Sequence, residues 1–207
     1  MEKIILLAAV SLAAYFIGNI SPSTIMARRQ GLDIKKEGSG NAGTTNALRV
    51  MGKKAGAITL VVDILKGVVA ALLGGLCMGE TGMACCALMV ALGHIWPIVY
   101  RFRGGKGVAT IFGGLLAINP LMALICLAIV AIFVFASKRM SVGSIAGGIS
   151  LPVIAFFMEP VFFPESLLLA VIVIVKHRTN IVRLVHGEEP VMSIFDKKKE
   201  DGEGGKA

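Results

Sequence analysis

Residues 55–78 read AGAITLVVDILKGVVAALLGGLCM, a run of 24 residues with just two charges, Asp63 and Lys66. As a helix this run would be about 36 Å long, enough to cross a hydrocarbon core of ~30 Å. An unpaired charge at the centre of a span costs about 2.5–3.5 kcal/mol on insertion scales. Asp63 and Lys66 stand three apart on one helix face, so they are expected to neutralise each other as a structural ion pair.

The same character recurs in Ile4–Ala27, Gly82–Tyr100, Leu121–Ala136, Val142–Met158 and Ser166–Val175. Only 16% of the chain is charged, 56% is hydrophobic, and the mean hydropathy is +0.80. A soluble domain would carry about 25% charged residues, and a β-barrel would show short alternating strands instead of long runs. The sequence therefore predicts an all-α integral membrane protein. Ile4–Ala27 is longer than the apolar core of a signal peptide, and its cations follow it. It is read as a retained first span with the N-terminus outside.

Cations set the remaining topology. Apart from Lys3 and Lys66, every Lys and Arg falls in Arg28–Lys54, Arg101–Lys106, Lys138–Arg139 or the region from Lys176 onward. Positive loops mark the cytoplasmic side. The cation-poor turns at Gly79-Glu80-Thr81, Asn119-Pro120 and Glu159–Glu165 belong on the other side. This alternation predicts about seven transmembrane helices, with the C-terminus cytoplasmic. Val108–Ile118 is short for a crossing and is either tilted or re-entrant. Residues 1–190 form the membrane domain, and the charged tail 191–207 is expected to be disordered.

Several soluble chemistries are excluded. Cys77, Cys85, Cys86 and Cys126 lie in apolar runs without ligand spacing, so packing accounts for them and no metal is expected. Gly38–Gly43 matches GxGxxG, but its flanks are membrane spans and not a βαβ unit. Gly104-Gly105-Lys106 resembles the end of a P-loop, yet Gly107 replaces the Ser or Thr that would hold Mg²⁺. No organic cofactor and no nucleic-acid partner is indicated.

The polar connectors are instead expected to make one anion site. The first, Gly38-Ser39-Gly40-Asn41-Ala42-Gly43-Thr44-Thr45-Asn46 with Arg49, has glycines that would let successive amides face one concavity, with side-chain donors around it. The second is Gly104-Gly105-Lys106-Gly107, whose glycine pair would admit a phosphate beside the Lys106 charge. The third holds Ser141 and Ser144 after Lys138-Arg139. In the fourth, His177 and Asn180 share a helix face, with Arg183, Leu184, Gly187, Glu188 and Glu189 following. Arg28, Arg29, Lys35, Lys36, Arg101, Lys138 and Lys197–Lys199 are read as topology determinants or headgroup contacts. Trp96 is read as an interfacial anchor. His94 is balanced between a site role and bonding to neighbouring loops.

Together the first and second connectors, Ser141, and His177 to Asn180 with Arg183-Leu184 and Gly187 resemble the bacterial acyl-phosphate:glycerol-3-phosphate acyltransferase family. The resemblance runs from the first span to about Pro190. Thr44, Glu188 and the stretch around Trp96 and Ile98 depart from the family pattern without removing a chemical residue. The resemblance implies transfer of a fatty acyl group from acyl phosphate to the sn-1 hydroxyl of glycerol 3-phosphate, the first acylation of phospholipid synthesis. The products would be 1-acylglycerol 3-phosphate and phosphate. It also implies an inner-membrane enzyme whose site faces the cytoplasm; a monomer is expected. The chain has no His followed by Asp five residues on, so the HxxxxD centre of other glycerolipid acyltransferases is missing.

The resemblance assigns catalytic work to Ser39, Asn41, Lys106 and His177. Substrate binding falls to Gly38, Gly40, Thr45, Asn46, Arg49, Gly104, Gly105, Ser141, Asn180 and Glu189. The Ser39–Asn41 loop is assigned to the donor phosphate, and Arg49, Lys106, Ser141, His177 and Asn180 to glycerol 3-phosphate. An acyl phosphate is a mixed anhydride with a good leaving group, so positioning and charge stabilisation suffice without a covalent acyl-enzyme. The base is His177 or the donor's own phosphate, and the second is favoured. The rival expectation is a transporter of a phosphorylated anion, although such sites lie near the midplane, often in repeated halves.

Overall fold

The structure, a computed structural model, describes residues 1–192 and Phe195. The expected tail therefore lies outside the described residues except for Val191, Met192 and Phe195. Among the described residues there is no strand. The helices are α1 (Glu2–Gly18), α2 (Pro22–Arg29), α3 (Thr44–Ile95), α4 (Val108–Ile118), α5 (Pro120–Ser137), α6 (Met140–Met158), α7 (Phe163–Lys176) and α8 (Arg178–Val185). Short 3₁₀ turns occupy Ile98–Tyr100 and Pro160–Phe162.

Four helical stretches are long and apolar enough to cross a membrane: Glu2–Arg29, Thr44–Tyr100, Pro120–Ser137 and Met140–Met158. Pro160–Lys176 and Arg178–Val185, bent by 53° at His177, make a fifth if the pair is counted as one broken span. This is fewer than the sequence predicts, and the reason is local. The backbone of α3 leaves helical geometry first at Gly52, which sets off a short segment from Thr44, and again at Met78 and Gly79 between its two long arms; Gly79 takes φ 62°, ψ −150°, a region open to glycine. A Cβ on Gly74 would lie 2.2 Å from the Gly82 carbonyl oxygen, so the two arms of α3 fold back on each other at van der Waals distance. One long helix by hydrogen bonding is thus a hairpin by shape. With 11 residues, α4 is about 16 Å long.

The packing is that of a protein whose solvent is lipid. Its buried positions are rich in small residues, among them Ala70, Ala71, Ala84, Ala87, Ala91, Ala123 and Ala155. Leu76, Ile132, Phe135, Phe157 and Val171 are exposed. Lipid gives helices no hydrophobic reason to associate, so close approach of small residues carries the packing. Helix α1 lies on α3, α3 on α4, α5 on α6 and α6 on α7. A Cβ on Gly67 would meet the Thr110 oxygen of α4 at 2.2 Å, and one on Gly113 would meet the Ile64 oxygen at 2.0 Å. Gly67→Val should therefore push α4 away, lowering stability by about 1–3 kcal/mol. It should also reduce activity, because α4 begins just after Lys106; thermal unfolding in detergent measures the first effect.

Asp63 and Lys66 pair as the sequence predicts, with Lys66 Nζ 2.7 Å from Asp63 Oδ1. Their set includes a third member, His94, from the second arm of α3.

Candidate active site

The four connectors do not present themselves in the same way. The first leaves α2 and is pinned from beneath by Ile34 and Ala42, which pack on Ala27. The Ser23 hydroxyl donates to the Ala42 carbonyl at 3.0 Å. Asn46, in the first turn of α3 and 1% exposed, is its keystone. Its Oδ1 accepts from the Ser39 amide at 2.8 Å, and its Nδ2 donates to the Glu37 carbonyl at 3.0 Å. The Gly40 amide donates to the Glu37 carbonyl at 3.0 Å. Two amides of the expected cradle are thus committed inside the loop. Lys35, Ser39, Gly40 and Asn41 are the residues the loop brings to the wall of a cleft.

The second connector is corrected in the same sense. The Gly104 amide donates to Ile95 O at 3.2 Å, and the Gly105 amide to His94 O at 3.1 Å. A Cβ on Gly104 would lie 1.9 Å from the His94 oxygen, so these glycines serve close packing on the end of α3. Their amides are not free for a phosphate. The turn instead delivers Lys106, whose Nζ donates to Asn180 Oδ1. Lys35 Nζ donates to the Gly104 carbonyl at 3.1 Å and ties the first connector to the second.

The third and fourth connectors meet at Glu189. Its Oε1 accepts from Asn180 Nδ2 at 2.6 Å, and its Oε2 from Arg183 Nε at 2.8 Å. Arg139 Nε donates to its backbone carbonyl at 2.9 Å. Burial raises the Glu189 carboxyl, but the hydrogen bonds from Asn180 and Arg183 and the Arg183 charge oppose it, and the group is held below its usual range. Because Glu189 takes the Asn180 amide nitrogen, the Asn180 oxygen is left to face Lys106.

These elements enclose a cleft of about 310 Å³ lined by Lys35, Ser39, Gly40, Asn41, Phe102, Arg103, Gly104, Lys106, Lys176, Arg178, Thr179, Asn180 and Arg183. Six of these residues are cationic and none is a carboxylate. Burial, then the neighbouring Lys176, brings Lys35 down to about 8 despite Asp33. Burial likewise brings Lys106 to about 8, with Glu189 opposing and Arg183, Lys176 and Arg49 adding to the fall.

Of the residues assigned from sequence, Ser39, Gly40, Asn41, Gly104, Lys106 and Asn180 line the cleft. Gly38, Thr45, Asn46, Arg49, Gly105, Ser141, His177 and Glu189 are not among its lining residues. Gly38 packs against the Asn46 side chain, and Gly105 against the His94 ring. Thr45 and Arg49 sit at the start of α3, and Ser141 at the start of α6. His177 is 2% exposed, and its Nδ1–H donates to Val173 O at 2.8 Å. Burial, then the charge of Lys106, lowers its pKa to about 4. The imidazole is therefore neutral at ordinary pH, with its Nε2 lone pair free of that bond.

Sequence reasoning set Lys35 aside as a topology cation and gave no individual role to Arg103, Lys176, Arg178 or Thr179, yet all five line the cleft. Spacing held no signal for the four cations among them, since a loop cation serving topology and one serving a site look alike. Trp96 carries the Lys176 ammonium 5.5 Å above its ring centre.

A helical membrane protein that gathers six cations into one cleft at the end of its bundle is built to hold phosphorylated anions. The family profile described as glycerol-3-phosphate acyltransferase matches residues 8–187. The glycerol-3-phosphate acyltransferase of Clostridioides difficile (strain 630) is 43% identical over 188 residues, covering 87% of this chain and 92% of that protein. That of Thermoanaerobacter sp. (strain X514) is 42% identical over 182 residues, covering 86% and 92%. The crystal structure of PlsY (YgiH), an integral membrane glycerol 3-phosphate acyltransferase, in its glycerol 3-phosphate form superposes with a TM-score of 0.85. It is 31% identical and covers 92% of this chain and 96% of that one. The lysophosphatidic acid form gives a TM-score of 0.80 at 32% identity, covering 92% and 95%. The chain belongs to the glycerol-3-phosphate acyltransferase family.

Proposed function

We propose that this enzyme transfers a fatty acyl group from acyl phosphate to the sn-1 hydroxyl of glycerol 3-phosphate, releasing 1-acylglycerol 3-phosphate and phosphate. The observation that carries the reading is the cleft with six cations and no lining carboxylate. Its charge suits two phosphoryl groups held side by side, and related proteins with glycerol 3-phosphate and lysophosphatidic acid forms support it.

In this reading Lys35, Ser39 and Asn41 hold the donor phosphate with side chains. Lys106, Asn180 and Arg183 hold the acceptor phosphate, with Arg49, Thr45 and Ser141 in support. The acyl chain lies between helices, open to lipid. Attack of the hydroxyl expels phosphate, whose charge the cleft cations stabilise as it develops. His177 at a pKa of about 4 is a weak base, which favours proton transfer to the donor's own phosphate, with His177 as an orienting group. The site belongs on the cytoplasmic side of a bacterial inner membrane. The two arms of α3, the short α4 and α7 bring the crossings to about seven in a monomer, with the N-terminus outside. Residues 1–190 form the acyltransferase domain, with 191–207 as a cytoplasmic tail.

Purified protein given palmitoyl phosphate and labelled glycerol 3-phosphate should yield labelled 1-acylglycerol 3-phosphate. Movement of label across sealed vesicles without acylation would instead make the protein a transporter. His177→Gln should lower the rate yet keep the acidic limb of the pH profile, because that limb belongs to the substrate phosphate with a pKa near ~6. Loss of the limb with the histidine would make the imidazole the base. Stability gives an independent reading. From pH ~6.5 down to about 4 the unfolded chain takes up a proton that folded His177 does not. Wild-type stability should fall across that window, and the His177→Gln variant should lack this component.

A further inference from the structure

Asp63, Lys66 and His94 form a closed set of buried side chains, 1%, 5% and 6% exposed, none of which lines the cleft. Lys66 Nζ lies 2.7 Å from Asp63 Oδ1 and 2.8 Å from His94 Nδ1, and His94 Nδ1 lies 3.3 Å from Asp63 Oδ1. Lys66 also donates to the carbonyls of Gly18 at 3.2 Å and Ile20 at 2.7 Å, where α1 ends. A pair that served only to neutralise itself would stop at Asp63 and Lys66. This one reaches across to an imidazole on the other arm of α3 and to a third chain segment.

The opposite edge of that imidazole faces the second connector. A Cβ on Gly105 would lie 2.2 Å from His94 Nε2, and the Gly105 amide donates to His94 O. Lys106 follows immediately. Lys66 Nζ and Asp63 Oδ1 both stand against Nδ1, and this double contact on one edge fixes the plane of the ring against Gly105, whichever ring nitrogen carries the proton. The surface on which Gly104 and Gly105 rest, immediately before Lys106, is thus oriented from inside the bundle.

We propose that Asp63, Lys66 and His94 are positioning residues that set where the Lys106 ammonium stands, and through it the affinity for the phosphate of glycerol 3-phosphate. This rests on the acceptor role given to Lys106 above. Asp63 balances the Lys66 charge, Lys66 holds the ring, and the ring holds the Gly104–Lys106 turn. A misplacement of ~1 Å at a binding group is enough to cost up to 10²-fold.

The test uses His94→Gln and the charge-balanced double variant Asp63→Asn/Lys66→Met, in full-length protein in detergent. KM is measured for each substrate in turn, and glycerol 3-phosphate binding is measured at equilibrium without donor. Each variant should raise both the KM and the dissociation constant for glycerol 3-phosphate on the order of tenfold, with the KM for palmitoyl phosphate within about twofold. Adding His94→Gln to the double variant should bring no further rise, as expected of groups that act as a unit. A merely structural role would lower the melting temperature and the active fraction, moving kcat and leaving KM alone. An unchanged dissociation constant in either variant, or an equal rise in both KM values, overturns the proposal. Absence of acylation by the wild type would count against the reaction itself, whereas the trio is judged on binding, which needs no turnover.

Discussion

Lys106→Ala should lower kcat/KM for glycerol 3-phosphate on the order of 10²–10³, the loss that follows removal of one well-placed charge donor. The ammonium stands in the cleft wall, oriented by the Asn180 oxygen. Asn180 is itself fixed by Glu189. Lys106→Arg should recover part of the loss, since it keeps charge but not a compact ammonium. The same group gives a pH dependence. With Lys35 and Lys106 both at about 8, kcat/KM should fall as pH rises through that value, with more than one proton lost. Lys106→Arg should make the alkaline limb shallower. Initial rates with palmitoyl phosphate and labelled glycerol 3-phosphate from neutral to alkaline pH read both effects. An alanine variant with wild-type kcat/KM would remove Lys106 from the site.

Glu189→Ala should be the most damaging change to the fold near the cleft. The buried Glu189 carboxylate holds Asn180 and Arg183, while the Arg139 bond to its backbone carbonyl survives the substitution. Without it, Asn180 loses a partner and Arg183 faces other cations unbalanced. Removing one member of a buried pair costs about 3–5 kcal/mol. Arg183 is 33% exposed, so water takes up part of that charge, and about 2–3 kcal/mol is expected. Glu189→Gln should be milder, as it keeps an acceptor. Thermal unfolding of the detergent-solubilised variants decides the matter. An alanine variant that is inactive at wild-type stability would instead place Glu189 on the substrate, as the sequence suggests.

The membrane character of the fold was legible because the energetics leave few alternatives. A run such as Ala55–Met78 has little choice but to be a span, and Asp63 with Lys66 had to pair inside it. His94 could not be added to that pair: the turn at Gly79-Glu80-Thr81 was expected, but spacing does not say which residue of the returning arm meets Lys66, and His94 does so from 28 residues away. The number of crossings was harder to read, since the residues of α4 are apolar enough for a span but too few for an upright one. In the cleft, Ser39, Asn41, Lys106 and Asn180 stood out as polar groups bunched beside glycines. The glycines themselves misled. A residue without Cβ signals either an open amide or a tight contact, and at Gly104 and Gly105 the contact prevails. Lys35, Arg103, Lys176 and Arg178 escaped for a related reason, since sequence gives the side of the membrane on which a cation lies but not how deep it sits.

Six cations drawn around one small volume repel one another, which adds to the burial that chiefly depresses the basicity of Lys35 and Lys106. Inorganic phosphate, released at every turnover in the proposed reaction, would relieve it. At a hundredfold excess over its dissociation constant, such an anion adds about 2.7 kcal/mol to the stability of the folded form. On that reading the leaving group would double as a conformational preservative and as a competitor for the seats of both substrates, and the enzyme would be hardiest under the conditions that slow it.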